Sequence, residues 1–363
     1  MLFNRFNILI LLLIVVSILS CTNNRSNNIS DEIEIDETEI IRFGVISDIH
    51  ADTSNIEYFM DKFIGNGNDS NNKDSNENVD AVLVLGDFND MNGYKAGSDF
   101  DEIRTVMETI LNNSYFHDSK TSSTAKVPVY VIPGNHEAKA GYEKVMNAMK
   151  IAFGYDNLHD MSGWNIETLS FETLNNEREN KTISVNLIPI PGYHLKEFTN
   201  PNGYLYDDDK LSELENKIDG LNKNSVNLIV AHGLPLGKTR ESIDAIFTEE
   251  SGEIIVKNVG NPSINKLMQK HNIKFGVFGH IHEAGMKAAA WSDDFWEGEK
   301  IIKQNKWSSS LFLNPGPAVQ WKMNSGKFIK NMVDEDGFSK GSAGILEIAV
   351  DDKIGKYEII LVR

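Results

Sequence analysis

"DAVLVLGDFND" occupies residues 80–90. Five aliphatic residues in a row, Ala81 to Leu85, leave no polar face, so the stretch reads as a short strand covered on both sides. A strand with one face in water would alternate apolar and polar residues instead. The run breaks at Gly86 and is followed at once by Asp87 and, three residues later, by Asp90. A buried strand thus ends in carboxylates, and the same arrangement recurs along the chain.

Upstream, "IIRFGVIS" (40–47) predicts a strand that runs into "SDIH", with Asp48 and His50 in Asp-x-His spacing. Downstream, "VPVYVIPGNH" (127–136) ends in Asn135 and His136. Later, "VNLIVAHG" (226–233) delivers His232, and "IKFGVFGH" (273–280) delivers His280, with His282 two residues beyond. Helical patterns fall between these strands. Residues 54–64 set Ile56, Phe59, Met60 and Phe63 on one face, and 100–111 and 141–153 show similar spacing. Further strands are predicted at 184–190, 310–316, 344–350 and 356–363. Val/Ile/Leu runs joined by helices predict mostly parallel strands covered on both faces, hence an α/β fold. The polar stretches 65–78 and 112–126 are expected to be surface loop insertions.

Composition narrows the function classes. Hydrophobic residues make up 40% and charged residues 24% of the 363, which are globular values. With 35 Lys+Arg against 53 Asp+Glu the formal charge is −18, so the chain has no basic stripe of the kind nucleic-acid binding needs. A small phosphorylated substrate stays compatible with that charge, because bound metal ions supply local positive charge. The only cysteine is Cys21, so any metal site has to be built from His, Asp, Glu and Asn.

Each polar residue at a strand end has an ordinary reading by itself. Asp is a frequent helix cap or turn former, Gly-Asn is a common turn, and His-x-His alone does not decide for a metal. Together they argue differently. Five of nine histidines (50, 136, 232, 280, 282) sit at the carboxyl ends of buried strands, the edge where α/β sheets bind ligands. Neutral imidazoles with carboxylates suit Mn, Fe, Zn or Ni. Two such cations side by side need a bridging ligand, and a carboxylate has an oxygen for each.

The ordered set Asp-x-His, Gly-Asp-x-x-Asp, Gly-Asn-His-Glu, His and Gly-His-x-His resembles the calcineurin-like metallophosphoesterases over roughly residues 41–320. That resemblance implies a four-layer α-β-β-α sandwich with a dinuclear site at the carboxyl ends of the strands. It implies that Asp48, His50 and His282 hold one metal, that Asn135, His232 and His280 hold the other, and that Asp87 bridges them. The pair would be divalent ions: Mn, Fe, Zn or a mixture. By the same resemblance His136 is the non-ligand histidine that serves the leaving oxygen, and Asp90 is the acid that orients it. The implied reaction is hydrolysis of a phosphomonoester or phosphodiester by a metal-bridging hydroxide. Purple acid phosphatases carry Tyr where Asp90 stands, so no iron–tyrosinate chromophore is expected. "LNPGPA" (313–318) resembles the Asn-Pro-Gly turn after the last motif. His194, in the long stretch between His136 and His232, is a candidate to face substrate or an ordinary loop histidine. Trp291, Trp296, Trp307 and Trp321 are candidates for an aromatic rim or for core packing.

The first twenty residues read as an export signal: one Arg, then the apolar run "ILILLLIVVSIL". "ILSC" resembles a bacterial lipobox, which implies cleavage before Cys21 and lipid on its sulfur, and so a protein anchored in a bacterial envelope. An ordinary export signal or a signal anchor is the other reading. Residues 21–39 are polar and suit a tether, and 40–363 are expected to form the catalytic domain. A lipoprotein that keeps this fold for binding or adhesion, without turnover, is the alternative from another class.

Overall fold

A computed structural model describes residues 40–65, 78–89, 98–118, 123–174, 180–250, 253–291, 299–319 and 340–362. The signal and tether segments, Cys21, Asp90, Trp296, Trp321 and most of 65–78 lie outside the described residues. Among the described residues no helix is long and apolar enough to cross a membrane.

Two sheets carry the fold. The first has six strands: β1 (Ile40–Ile46), β2 (Ala81–Val84), β5 (Val129–Val131), β6 (Leu158–Asp160), β16 (Ser342–Ala349) and β17 (Ile354–Leu361), in the order β17-β16-β1-β2-β5-β6. The second has seven: β7 (Glu167–Leu174), β8 (Asn180–Ile190), β9 (Val226–Ala231), β12 (Phe275–Val277), β13 (Lys287–Trp291), β14 (Glu299–Ile302) and β15 (Leu311–Asn314), in the order β14-β13-β15-β12-β9-β8-β7. Strands β1, β2, β5 and β6 run parallel, as do β8, β9, β12 and β15. The outer strands β16, β17, β7, β13 and β14 pair antiparallel. Parallel strands occupy the centre of the second sheet, with antiparallel strands on both sides; in the first they run out to the edge strand β6, with the antiparallel β16 and β17 on the other side.

The aliphatic run Ala81–Leu85 faces two ways. Leu83 points into the core between the sheets, where it joins Phe43, Val45, Val185, Leu187, Leu228 and Val230. Val82 and Val84 point the other way, onto the helices α1 (Ile56–Ile64), α2 (Ser98–Asn112) and α3 (Lys139–Ile151). This two-residue alternation within a wholly apolar strand is what burial on both faces demands. The second sheet is covered on its outer face by α4 (Asp208–Ile218) and α5 (Pro262–Lys270). Leu211, Leu214 and Ile218 of α4 and Ile264, Leu267 and Met268 of α5 pack on Ile188, Ile190 and Ile229. Four layers result, α-β-β-α, as the family resemblance implied.

Both outer helices begin at side-chain caps: Asp207 accepts from the Lys210 amide, and Asn261 accepts from the Ser263 amide ahead of Pro262. One expectation is corrected. Residues 112–126 are not simply a loop, because Tyr115–Asp118 (β3) and Ser123–Lys126 (β4) form an antiparallel hairpin, and α2 runs to Asn112. Its sequence lacks an apolar face, so nothing in its pattern announced strands. A second hairpin, β10 (Ala245–Glu250) with β11 (Glu253–Asn258), also lay outside the expected elements.

The register sets the site. Ile46, Val84 and Val131 lie abreast in the first sheet, and Pro189, Val230 and Val277 lie abreast in the second. Five strands therefore stop at about the same level, and the polar residues that follow them meet.

Candidate metal centre

Asp48, His50, Asp87, Asn135, His136, His232, His280 and His282 converge in the structure. The first sheet supplies the first five and the second sheet the last three. Hydrogen bonds lock the two edges together: the His280 amide donates to both oxygens of Asp48 at 3.1 Å, and His232 Nδ1 donates to the Leu85 carbonyl. Asp48, His50, Asp87 and His280 all adopt left-handed backbone, with φ of 53°, 47°, 53° and 68°. For non-glycine residues that conformation costs about 1–3 kcal/mol each and concentrates where function requires it.

Glycine explains how close the loops come. A Cβ on Gly86 would sit 2.2 Å from the Gly134 nitrogen, and one on Gly134 would sit 2.2 Å from Asp87 Oδ1. The Gly-Asp and Gly-Asn pairs in the sequence are thus two loops in direct backbone contact. Through that contact Asp87 Oδ1 accepts from the Asn135 and His136 amides at 3.0 and 3.1 Å. Its other oxygen is left facing inward, 3.3 Å from His232 Nε2 and 3.6 Å from His136 Nε2.

Hydrogen bonds at the far side of two rings fix which nitrogen faces inward. His232 Nδ1 donates to the Leu85 carbonyl at 2.6 Å, which leaves its Nε2 for the cluster. That nitrogen meets Asn135 Oδ1 at 2.7 Å and Asp87 Oδ2 at 3.3 Å. Asn135 has no freedom to flip, because its amide nitrogen donates to the Phe198 carbonyl. Two acceptor oxygens therefore crowd one ring nitrogen, which is stable only with positive charge among them, as a proton or as a cation. His50 repeats the arrangement: Nδ1 donates to the Asn89 carbonyl at 3.3 Å, and Nε2 lies 3.2 Å from His282 Nε2. Asp48 Oδ1 stands 3.3 Å from the same His282 nitrogen.

The electrostatics agree. Burial alone would lower the His232 imidazole, yet the charge of and hydrogen bond to Asp87 push it up to about 9. Burial also opposes charge on His282, and Asp48 overcomes it and raises that ring. His50 and His280 go the other way: burial, with His282 and His232 respectively, pushes them down to about 4 and about 3. Burial would raise both carboxyls, but His282 holds Asp48 and the charges of His136 and His232 hold Asp87 below the ordinary carboxylate range. The site thus draws positive charge to two places. Ligand atoms of three triads lie within 4.8 Å of one another: Asp48–His50–His282, His50–Asp87–His136 and Asp87–His232–His280. These donor sets fit divalent cations of the Mn, Fe or Zn type.

A calcineurin-like phosphoesterase profile matches residues 41–284, more than half of the chain. The chain belongs to the calcineurin-like phosphoesterase family. Among curated proteins nothing matches it. In shape it is similar to TT1561 of Thermus thermophilus, at 12% identity, 89% coverage of this chain, 100% of the other and a TM-score of 0.45. The phosphopantetheinyl hydrolase PptH of Mycobacterium tuberculosis gives 14%, 76%, 91% and 0.42 in the same order. The calcineurin-like phosphoesterase YfkN of Bacillus subtilis gives 11%, 89%, 90% and 0.43.

Sequence reasoning gave no role to Glu137, the fourth residue of Gly-Asn-His-Glu. It is fully buried and grips both loops, accepting from the amides of Phe88 at 2.6 Å, Gly134 at 2.5 Å and Asp87 at 3.3 Å. Burial and the nearby Asp87 push its carboxyl up to about 7. Its signal was weak: one acid in a polar turn, ahead of a helix whose N-cap is Ala138. Glu137→Gln puts an NH₂ group against backbone N–H donors, and should cost about 1–3 kcal/mol of stability and weaken metal binding about 10- to 100-fold. Denaturant melts and metal titration check this; unchanged metal affinity would show that the clamp does not position the site.

Asn314, in the Asn-Pro-Gly turn, donates to the Ile281 carbonyl at 3.0 Å and so props the His280–His282 segment from behind. His194 is half-buried beside Tyr193, and among the described residues its Nδ1 has no hydrogen-bond partner. Of the two described late tryptophans, Trp291 packs on Phe312 at 5.2 Å and Trp307 lies under Lys356, so neither rings the site.

Proposed function

We propose that this chain hydrolyses phosphomonoesters or phosphodiesters at a two-cation centre. The observation that carries the reading is the set of convergent nitrogens and oxygens, with the other ring nitrogens already spent on backbone carbonyls: His232 on Leu85, His50 on Asn89. Asp48, His50 and His282 would hold one ion, and Asn135, His232 and His280 the other, with the inward oxygen of Asp87 shared. Such ions, when bound, supply Lewis acidity toward a phosphoryl oxygen and lower the pKa of a coordinated water.

The remaining work falls to His136. It is half-buried at the mouth of the cluster, its ring centroid 5.3 Å from that of His50. Its Nε2 stands 3.6 Å from Asp87 Oδ2 and, when it carries a proton, can give it to the departing oxygen of an ester held against the cluster. Asp90, outside the described residues, is proposed as the acid that steadies this ring.

Manganese-loaded full-length protein should hydrolyse 4-nitrophenyl phosphate or its bis-ester. Chelation should lower the rate by about 10²-fold or more, and added metal should restore it. A fully metallated, folded protein that turns over neither ester would overturn the reading.

A further inference from the structure

We propose that Phe198 forms one wall of a subsite for a flat aromatic leaving group, so that the centre acts on phosphate esters of aryl or heteroaryl-bearing alcohols. This inference rests on the phosphoesterase reading. Phe198 closes the short 3₁₀ turn Lys196–Phe198, and 47% of it is exposed to water. Among the described residues it is the exposed large apolar side chain whose ring borders the metal cluster, 6.5 Å edge-on from the ring of His280.

The turn that carries the ring is held from behind. The Asn135 side chain donates to the Phe198 carbonyl, the Asn200 amide donates to the Asn135 carbonyl at 2.8 Å, and the Asn200 side chain donates to the His136 carbonyl at 3.0 Å. Thr199 closes the turn on the Leu195 carbonyl at 2.8 Å. Phe198 and His136 therefore belong to one stitched bank of the site, and the group that departs beside His136 meets Phe198. The other nearby aromatic has a different duty. Tyr193 is fully buried, lies 4.0 Å from His280 and donates its hydroxyl to the Val259 carbonyl, so it supports the histidine from below.

Leaving an apolar ring half in water is unfavourable, and a turn fixed by four hydrogen bonds cannot fold it away. A flat ring laid on its face recovers that burial with no further ordering of the protein. An aliphatic group recovers less area and none of the offset-stacking attraction. Phe198 is not a ligand and not a proton donor, so its removal should change preference and leave the chemistry in place.

The test uses phenylphosphonate and methylphosphonate, titrated calorimetrically into manganese-loaded full-length protein. Wild type should bind phenylphosphonate the more tightly. Phe198→Ala should lose about three- to tenfold in phenylphosphonate affinity with methylphosphonate unchanged, and Phe198→Tyr should keep the wild-type ratio. An equal loss for both ligands, an unchanged ratio in Phe198→Ala, or no phenyl preference in wild type would each overturn the subsite. Turnover of 4-nitrophenyl phosphate is read separately: the expected phosphonate pattern without turnover keeps the subsite and rejects the hydrolase.

Discussion

Asp87→Asn should strip the protein of most of its metal and lower turnover by about 10³-fold or more. The substitution isolates charge from shape. Asparagine tolerates the left-handed backbone that Asp87 adopts at φ 53°, and it fills the same volume. Its orientation is not free, because the outer oxygen accepts from the Asn135 and His136 amides. The amide oxygen has to keep that place, so the NH₂ group is turned inward, toward His232 Nε2 at the position where Oδ2 stood 3.3 Å away. A donor then occupies the spot where shared cation density is needed, and the negative charge between the two triads is gone. Elemental analysis alongside the rate on 4-nitrophenyl phosphate checks this, with circular dichroism confirming the fold. A variant with full metal content and a rate within tenfold of wild type would remove Asp87 from the bridging position.

Much of this centre could be read from residue order because its donors directly follow aliphatic runs. A strand such as Ala81–Val84 has to be buried on both faces, and the register then forces whatever comes next to the common edge. What the order of residues does not contain is which backbone groups a side chain will reach. Glu137 acts on Phe88, 49 positions away, and Asn200 acts on His136, 64 away. No local pattern encodes such contacts. The turn "KEFTN" (196–200) looks like any polar connection until its hydrogen bonds place Phe198 at the rim. The outer helices differ in kind. Leu211, Leu214 and Ile218 do keep helical spacing behind the Asp207 cap, and Pro262 follows Asn261, so both helices were present as patterns among more prominent strand signals. The hairpin β3–β4 was not, since polar strands carry no alternation to read.

His136→Ala and His282→Ala should part company, and their difference separates a proton donor from a ligand. His136→Ala should lower turnover by about 10²- to 10⁴-fold while metal content stays near wild type. The reason lies in how Asp87 is held: its outer oxygen accepts from the His136 backbone amide, which alanine retains, so truncating the ring leaves the carboxylate in place. His282→Ala removes the nitrogen that faces both His50 at 3.2 Å and Asp48 at 3.3 Å, so metal and activity should fall together. The structure makes this a sharp test, because His136 Nε2 lies as near Asp87 and His50 as a ligand would. Distance therefore favours neither role, and chemistry has to decide. If His136→Ala loses metal as His282→Ala does, His136 is a ligand and the leaving oxygen takes its proton elsewhere. If metal is kept and the rate falls, the ring's place between Asp87 and the mouth of the cluster is that of the group that protonates what departs.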